Sequence, residues 1–344
     1  MAGDATSSVM RAGDVGRAAR RDLQFRIPRK PVVRLGLRAR PEETGWIIDG
    51  ARKSQVLGGA FAREHMGPLL QACDGTRTLD EIGEVTGVGP QAAFEAVSLL
   101  WTGGIVEEGD TEPAPGDPPP ELARLLSRLG DSTGVNDSWQ DAARRLAGAR
   151  VAVVGDAELA GEMVAALEPT LPEVRLDSAP RRGDTLTVLV ETADSAARSQ
   201  EVARRCREAG IPLLRVRAEQ EAVTVGPYVD ESFSPCLACA CADEPEIGPR
   251  PEPARHDIVV GLAARAVAAL IARATVTHLP GDARRTDLAT FTYTDRPVVS
   301  RPGCPVCSVA GQGQAPVPVA PSSPVGARYE QSVAIPPAAF VDSK

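Results

Sequence analysis

Two Cys-x-x-Cys pairs, Cys236-Leu-Ala-Cys239 and Cys304-Pro-Val-Cys307, stand 64 residues apart and constrain this chain more than any other feature. Each pair places two thiolates on one knuckle, and two knuckles close a tetrahedral zinc site. Soft sulfur ligands select zinc in a reducing compartment. The spacing therefore predicts one structural zinc ion on Cys236, Cys239, Cys304 and Cys307. Cys241 sits close enough to the first pair to compete as a ligand. Cys73 and Cys206 fall in helical patterns and read as core residues. Seven cysteines in total, an odd count without a signal peptide, argue against a disulfide framework. His65, His256 and His278 have no partner spacing and read as structural.

No apolar run reaches the roughly 18 residues of a membrane span. The longest candidate, Ile258–Val276, is interrupted by Arg265 and Arg273. The N-terminus has no apolar signal segment, so a cytoplasmic protein is expected. The net charge of −8 gives no support to nucleic-acid binding. Residues 1–40 nevertheless carry ten Lys and Arg against three Asp. Residues 1–30 read as a disordered basic arm, with docking to an acidic partner as the sharper alternative.

Residues 31–109 form one predicted unit. Val32–Arg38, Gly45–Ile48 and Arg52–Leu57 read as strands, with a hairpin signal at Asp49-Gly50. Three helices follow. The second starts at a capping box, Thr78 with Glu81. The third starts at Pro90 and runs to Trp101. Ile105–Glu108 adds a short strand. GDTEPAPGDPPP (109–120) is too proline-rich for helix or sheet interiors and predicts a stiff linker. With the two short helices after it, this linker fills 110–149. A second domain is expected over 150–307, and a disordered Pro/Ala/Gly/Ser tail over 308–344.

In the second domain, RVAVVG (150–155), Val174–Asp177, Leu186–Val190 and Pro212–Arg217 read as strands alternating with helices. That order predicts an α/β domain with a parallel, doubly wound sheet. A dinucleotide or ATP fingerprint needs GxGxxG in the first turn, where backbone meets phosphate at a helix N-terminus. Here the run is Gly155-Asp156-Ala157-Glu158-Leu159-Ala160-Gly161. Only the first glycine is in place, and Asp156 and Glu158 bring negative charge to the phosphate position. Asp177 stands where a ribose-binding acid would. These residues predict no ATP bound by this chain.

LLQACDGTRTLDEIGEVTGVGPQAAFEAVSLLWTGGIVEE resembles the winged-helix-like PqqD-type domain, or RiPP recognition element. The resemblance implies that a precursor's leader peptide adds a strand beside the third strand and packs on the third helix, a mode that exploits unpaired N–H and C=O groups at a sheet edge. The implied peptide-binding residues are Arg52, Lys53, Gln55 and Leu57 on the strand, and Phe94, Val97 and Trp101 on the helix. Trp101 is the expected anchor, as a partly exposed aromatic. The alternative, a winged-helix regulator of nucleic acid, is opposed by the third helix, PQAAFEAVSLLW, which has no Lys or Arg.

The second domain resembles the Rossmann-like ThiF and ubiquitin-activating family, whose catalytic members adenylate a carboxylate. Asp194 could match their magnesium-binding Asp. The eight residues 178–185 are too few for the usual helix carrying arginine and lysine, and Arg181 and Arg182 read as loop charges. VGPYVDESFSPCLACA and RPVVSRPGCPVC are similar to segments of ThiF-like cyclodehydratase partner proteins of thiazole/oxazole-modified microcin pathways. Over residues 31–307 the resemblance implies a non-catalytic, leader-binding partner of a separate YcaO-type cyclodehydratase, with no nucleic acid and no membrane. An adenylating enzyme is the alternative. Oligomeric state stays open, with a homodimer suggested by how often ThiF-like domains pair.

Overall fold

The fold is described from a computed structural model, which places residues 10–22, 25–50, 54–112, 116, 118–129, 135–230, 232–273 and 282–307. Residues 1–9 of the expected basic arm and the expected tail, 308–344, lie outside the described residues. The chain divides into one compact unit, Met1–Val299, and a short second unit, Ser300–Lys344.

The expected disordered arm is corrected by a helix, α1 (Ala12–Arg21). Its small residues explain the packing. Gly16 is buried, and a Cβ there would come within 2.8 Å of Glu95. The N-terminal module continues with β1 (Pro31–Val33), β2 (Arg38–Glu42), β3 (Gly45–Asp49) and β4 (Gln55–Gly58). Helices α2 (Ala60–Ala72), α3 (Leu79–Val85) and α4 (Pro90–Thr102) follow, then β5 (Val106–Glu108). Strands β2, β3 and β4 form an antiparallel sheet in that order, whereas β1 pairs with β5 instead. The strand expected over Val32–Arg38 is thus split. Gly36, at φ 83°, marks the turn between its halves. The module's core gathers Ile48, Met66, Leu69, Ile82, Val97 and Leu100.

Two short helices, α5 (Pro120–Leu129) and α6 (Trp139–Ala147), connect the module to the α/β domain. A buried polar knot fastens them. Glu107 accepts from Arg34 Nη1 at 3.2 Å, Ser127 Oγ at 2.6 Å and the Trp139 N–H at 3.1 Å. Burial pushes the Glu107 carboxyl above the ordinary glutamate range, against the pull of Arg34.

The α/β domain comprises β6 (Arg150–Gly155), α7 (Ala157–Leu167), β7 (Glu173–Leu176), β8 (Leu186–Glu191), α8 (Ser199–Ala209), β9 (Leu213–Ala218), β10 (Ala222–Val229), α9 (Leu237–Cys241), α10 (His256–Ala272), β11 (Asp282–Asp287) and β12 (Tyr293–Pro297). The sheet order is β12-β11-β10-β9-β8-β6-β7. Only β6 to β9 are parallel. These are the four strands that the sequence predicts as parallel; β10 to β12, which it does not predict, extend the sheet antiparallel. β8 and β9 are buried along their whole length because both faces are covered. Val151, Val153, Val188, Val190 and Val216 join the core beneath α7 and α10, while Val154, Leu189 and Leu213 pack with α8 and α9. Among the described residues, no helix is long and apolar enough to cross a membrane.

Candidate functional site

Three places carry candidate chemistry: the edge of β4, the first turn of the α/β domain, and the cysteine knuckles.

Among the described residues β4 pairs only with β3, so its second edge has no strand partner. Alternation along β4 buries Leu57 (8% exposed) and leaves Val56 68% exposed. Gln55 reaches across to α4, donating from Nε2 to the Gly103 carbonyl at 2.5 Å. Arg52 and Lys53 lie outside the described residues. On α4 the expected side chains fall on different faces. Val97 is fully buried and Trp101 is 2% exposed, beneath the Arg34 guanidinium at 5.7 Å from its ring. The expectation of Trp101 as a partly exposed anchor is therefore corrected: at i+4 from Val97 it points into the same core. Phe94 is half-buried, with the Arg20 guanidinium of α1 4.6 Å from its ring centroid. Arg20 also donates to Gln91. Helix α1 thus takes the face of α4 that carries Gln91, Phe94 and Glu95. Ala92 and Leu99 remain half-exposed on the next face, one turn from Gly103 and the Gln55 contact. Sequence reasoning missed Leu99 because Phe94 and Trp101 offered the larger apolar signal. The amphipathic spacing of Ala12, Gly16 and Ala19 was the available sign that α1 would occupy part of α4.

The first turn of the α/β domain is closed by its own side chains. Gly155 has φ 125°, and a Cβ there would lie 1.9 Å from the Val190 carbonyl. Strand approach, not a phosphate, already requires this glycine. Asp156 caps α7, accepting from the Leu159 N–H at 3.2 Å and from Thr192 Oγ1 at 3.1 Å. Arg250 Nη2 bridges Asp156 at 3.0 Å and Glu158 at 2.7 Å. A carboxylate thus occupies the anion position of the helix dipole, and a guanidinium covers it. Asp177 is held by Arg175 at 3.2 Å and Arg181 at 2.7 Å. Arg175 makes a two-pronged contact with Asp184, at 2.7 Å on each oxygen. No helix lies between β7 and β8, as the short 178–185 segment predicts. Asp194 is exposed in the turn after β8.

The strand ends beside this corner are bound by buried ions. Arg215, 2% exposed, pairs with Glu191 and Glu244. Arg217 donates to the carbonyls of Pro245 (3.1 Å) and Glu246 (2.8 Å), strapping that segment onto β9.

Cys236 is the N-cap of α9 and Cys239 lies in its first turn, so helix geometry turns both thiols the same way. Cys304 N–H donates to the Arg301 carbonyl in a turn that carries Cys304 and Cys307. Cys236, Cys239, Cys304 and Cys307 make a set that could hold a metal ion, and its all-sulfur chemistry is compatible with zinc. Cys241 is not in this group, and burial pushes its thiol up to about 11.

No family model matches the chain, and no curated protein matches it. Solved structures do share its fold. Escherichia coli MccB with succinimide aligns at a TM-score of 0.62 and 10% identity, covering 81% of this chain and 99% of that one. The heterocyclase TruD aligns at 0.58 and 17%, covering 81% and 43%. A heterocyclase solved with substrate and cofactor aligns at 0.58 and 16%, covering 80% and 39%. The chain thus spans about two fifths of the heterocyclase chains it resembles.

Proposed function

We propose that this chain binds the leader of a ribosomally made precursor peptide and presents the precursor to a separate YcaO-type cyclodehydratase, which forms azolines. The observation that carries this reading is the unpartnered edge of β4 beside the half-exposed Ala92–Leu99 face of α4. An extended peptide there gains a ladder of main-chain hydrogen bonds, and Leu99 with Val56 gives its side chains apolar contact. In this reading Gln55 is a hinge between strand and helix, while Leu57, Val97 and Trp101 support the groove from beneath. Arg52 and Lys53 would pair with acidic leader residues, aiding association more than affinity.

The protein acts without catalysis of its own in this proposal. Asp156 and Arg250 already fill the corner where nucleotide phosphates would rest, so no ATP is bound. The likeness to MccB over nearly all of that chain favours a second reading, an ATP-dependent peptide-modifying enzyme. Calorimetric titration with Mg-ATP separates the two: no heat fits the partner protein, and saturable binding with pyrophosphate release fits the enzyme.

Cys236, Cys239, Cys304 and Cys307 would hold one structural zinc ion. Its thiolates would supply ordering of the chain around them, not reactivity. Freshly purified protein should contain zinc that Cys236→Ser loses. The peptide reading is tested by fluorescence anisotropy of a labelled leader, from any short Cys/Ser/Thr-rich precursor found next to the gene, against the full chain. Saturable binding that is lost on altering Val56 or Leu99 supports it; binding indifferent to both overturns it.

A further inference from the structure

Behind the closed first turn, three metal-ligand side chains converge that neither the cysteine cluster nor the peptide groove uses. Glu158 and Glu162 stand four residues apart on α7, so one helical turn stacks them on the same face. His256, the first residue of α10, comes over them, and one ligand atom from each residue lies within 4.8 Å of the others.

The imidazole decides what these groups can do. His256 is 3% exposed, so water does not serve its ring nitrogens. Its Nε2 lies 3.3 Å from the Pro251 carbonyl, and its Nδ1 lies 3.0 Å from Glu162 Oε1. A carbonyl oxygen only accepts, so the proton belongs on Nε2. Nδ1 then faces the Glu162 carboxylate at 3.0 Å, a gap that a second ring proton or a shared metal ion would each bridge. Locking one ring nitrogen on a backbone carbonyl is also how proteins fix the tautomer of a metal-ligating histidine.

Charge points the same way. Asp156, Glu158 and Glu162 bring three negative charges to this corner, and Arg250 brings one positive charge. Ligand nitrogen and oxygen each about 2.1 Å from a zinc-like ion stand roughly 3 to 3.5 Å apart, which matches the Nδ1–Oε1 separation.

We propose that His256 Nδ1, Glu162 and Glu158 bind a divalent transition-metal ion, distinct from the one on the cysteines. Arg250 engages Glu158 Oε2 and leaves its other oxygen for the metal. The side chains of Glu158 and Glu162 are 53% and 40% exposed, so the remaining coordination positions face water. The ion would fasten the start of α10 to α7.

Cobalt titration of the metal-stripped full chain tests this. Thiolate-bound cobalt gives intense charge-transfer absorption in the near ultraviolet, whereas a histidine–carboxylate site gives only weak visible bands. Two equivalents should bind, one of each kind. Glu162→Gln and His256→Gln should each lose the weak-band equivalent and keep the thiolate one. Glu162 is partly exposed, so its variant keeps the test sound should His256→Gln misfold. A single thiolate-bound equivalent in the native chain would show that His256 is merely protonated, and would overturn the proposal. So would a weak-band equivalent that persists in both variants. A weak-band equivalent without the thiolate one would support this site while removing the cysteine reading.

Discussion

The edge of β4 and the N-terminus of α7 are both places where backbone groups wait for a partner, and the chain treats them oppositely. At β4 the ladder is left open, and Val56 stands out in solvent. At α7 the Asp156 carboxylate answers one of the orphan amides, the Leu159 N–H, and Arg250 seals it in turn. A helix N-terminus and a sheet edge are equally generic binding devices. What separates them here is whether the chain's own side chains have already taken the position. A fold shared with MccB therefore says little about nucleotide chemistry until this corner is inspected.

The largest expected effect lies beneath the open edge. Trp101→Ala removes a side chain that is 2% exposed and takes the ring from under Arg34. Large aromatic truncations in a core cost about 3 to 5 kcal/mol. Chemical denaturation should show a loss of this order, with leader binding lost only because the module unfolds. Leader affinity that falls while stability is untouched would instead make Trp101 a surface anchor.

That correction shows where the sequence stops being legible. The strand–helix alternation, the capping box and the cysteine spacing were readable because each depends on local periodicity or on fixed ligand geometry. Which stripe of α4 faces the core was not. Phe94, Val97 and Trp101 recur as an apolar face whether they meet the core, α1 or a peptide, and only the position of α1 decides. The antiparallel β10–β12 extension was also hidden. β12, Tyr-Thr-Asp-Arg-Pro, is exposed throughout and carries no burial pattern to read. The closed nucleotide corner was half legible: the acidic residues at 156 and 158 could be seen to oppose phosphate, but Arg250, 94 residues beyond Asp156, could not be placed by spacing.

Leu99→Glu sharpens the comparison from the open side. The residue is only partly exposed, so a carboxylate there should cost about 0.5 to 3 kcal/mol, and leader binding is compared on the folded variant. It would place charge in the groove facing an apolar leader side chain. Leader affinity should fall at least tenfold, or about 1.4 kcal/mol, by anisotropy. An unchanged dissociation constant would move the peptide off this face.

From the closed side, Asp156→Ala removes the α7 cap and one of the two carboxylates under Arg250. Cap losses cost about 0.5 to 2 kcal/mol, and the added loss of the Arg250 contact puts the expectation near the top of that range. Thermal unfolding measures it. Mg-ATP should still not bind, because Ala157 and Ala160 do not restore a glycine loop. Binding gained by this one change would mean that the carboxylate alone had been excluding phosphate.

The smallest effect belongs to a helix start that receives no outside partner. Thr78 caps α3 in a reciprocal box: its side chain accepts from the Glu81 N–H, and the Thr78 N–H donates to Glu81 Oε2 at 2.7 Å. The Thr78 N–H and hydroxyl hold the Glu81 carboxyl below its ordinary value. The folded pKa is lowered, so the box contributes fully above the unfolded glutamate pKa and fades as pH falls through the folded one. Thr78→Ala should cost about 1 kcal/mol at neutral pH. That is less than Asp156→Ala, because no second helix or guanidinium leans on this cap. The gap between native and variant should narrow in acid, as protonation of Glu81 removes half of the box from the native protein as well. Unfolding midpoints of both proteins, compared at neutral pH and well below the glutamate range, check the sign. A difference that stays the same in acid would show that the hydroxyl alone holds the helix start and that the Glu81 carboxylate adds nothing to it.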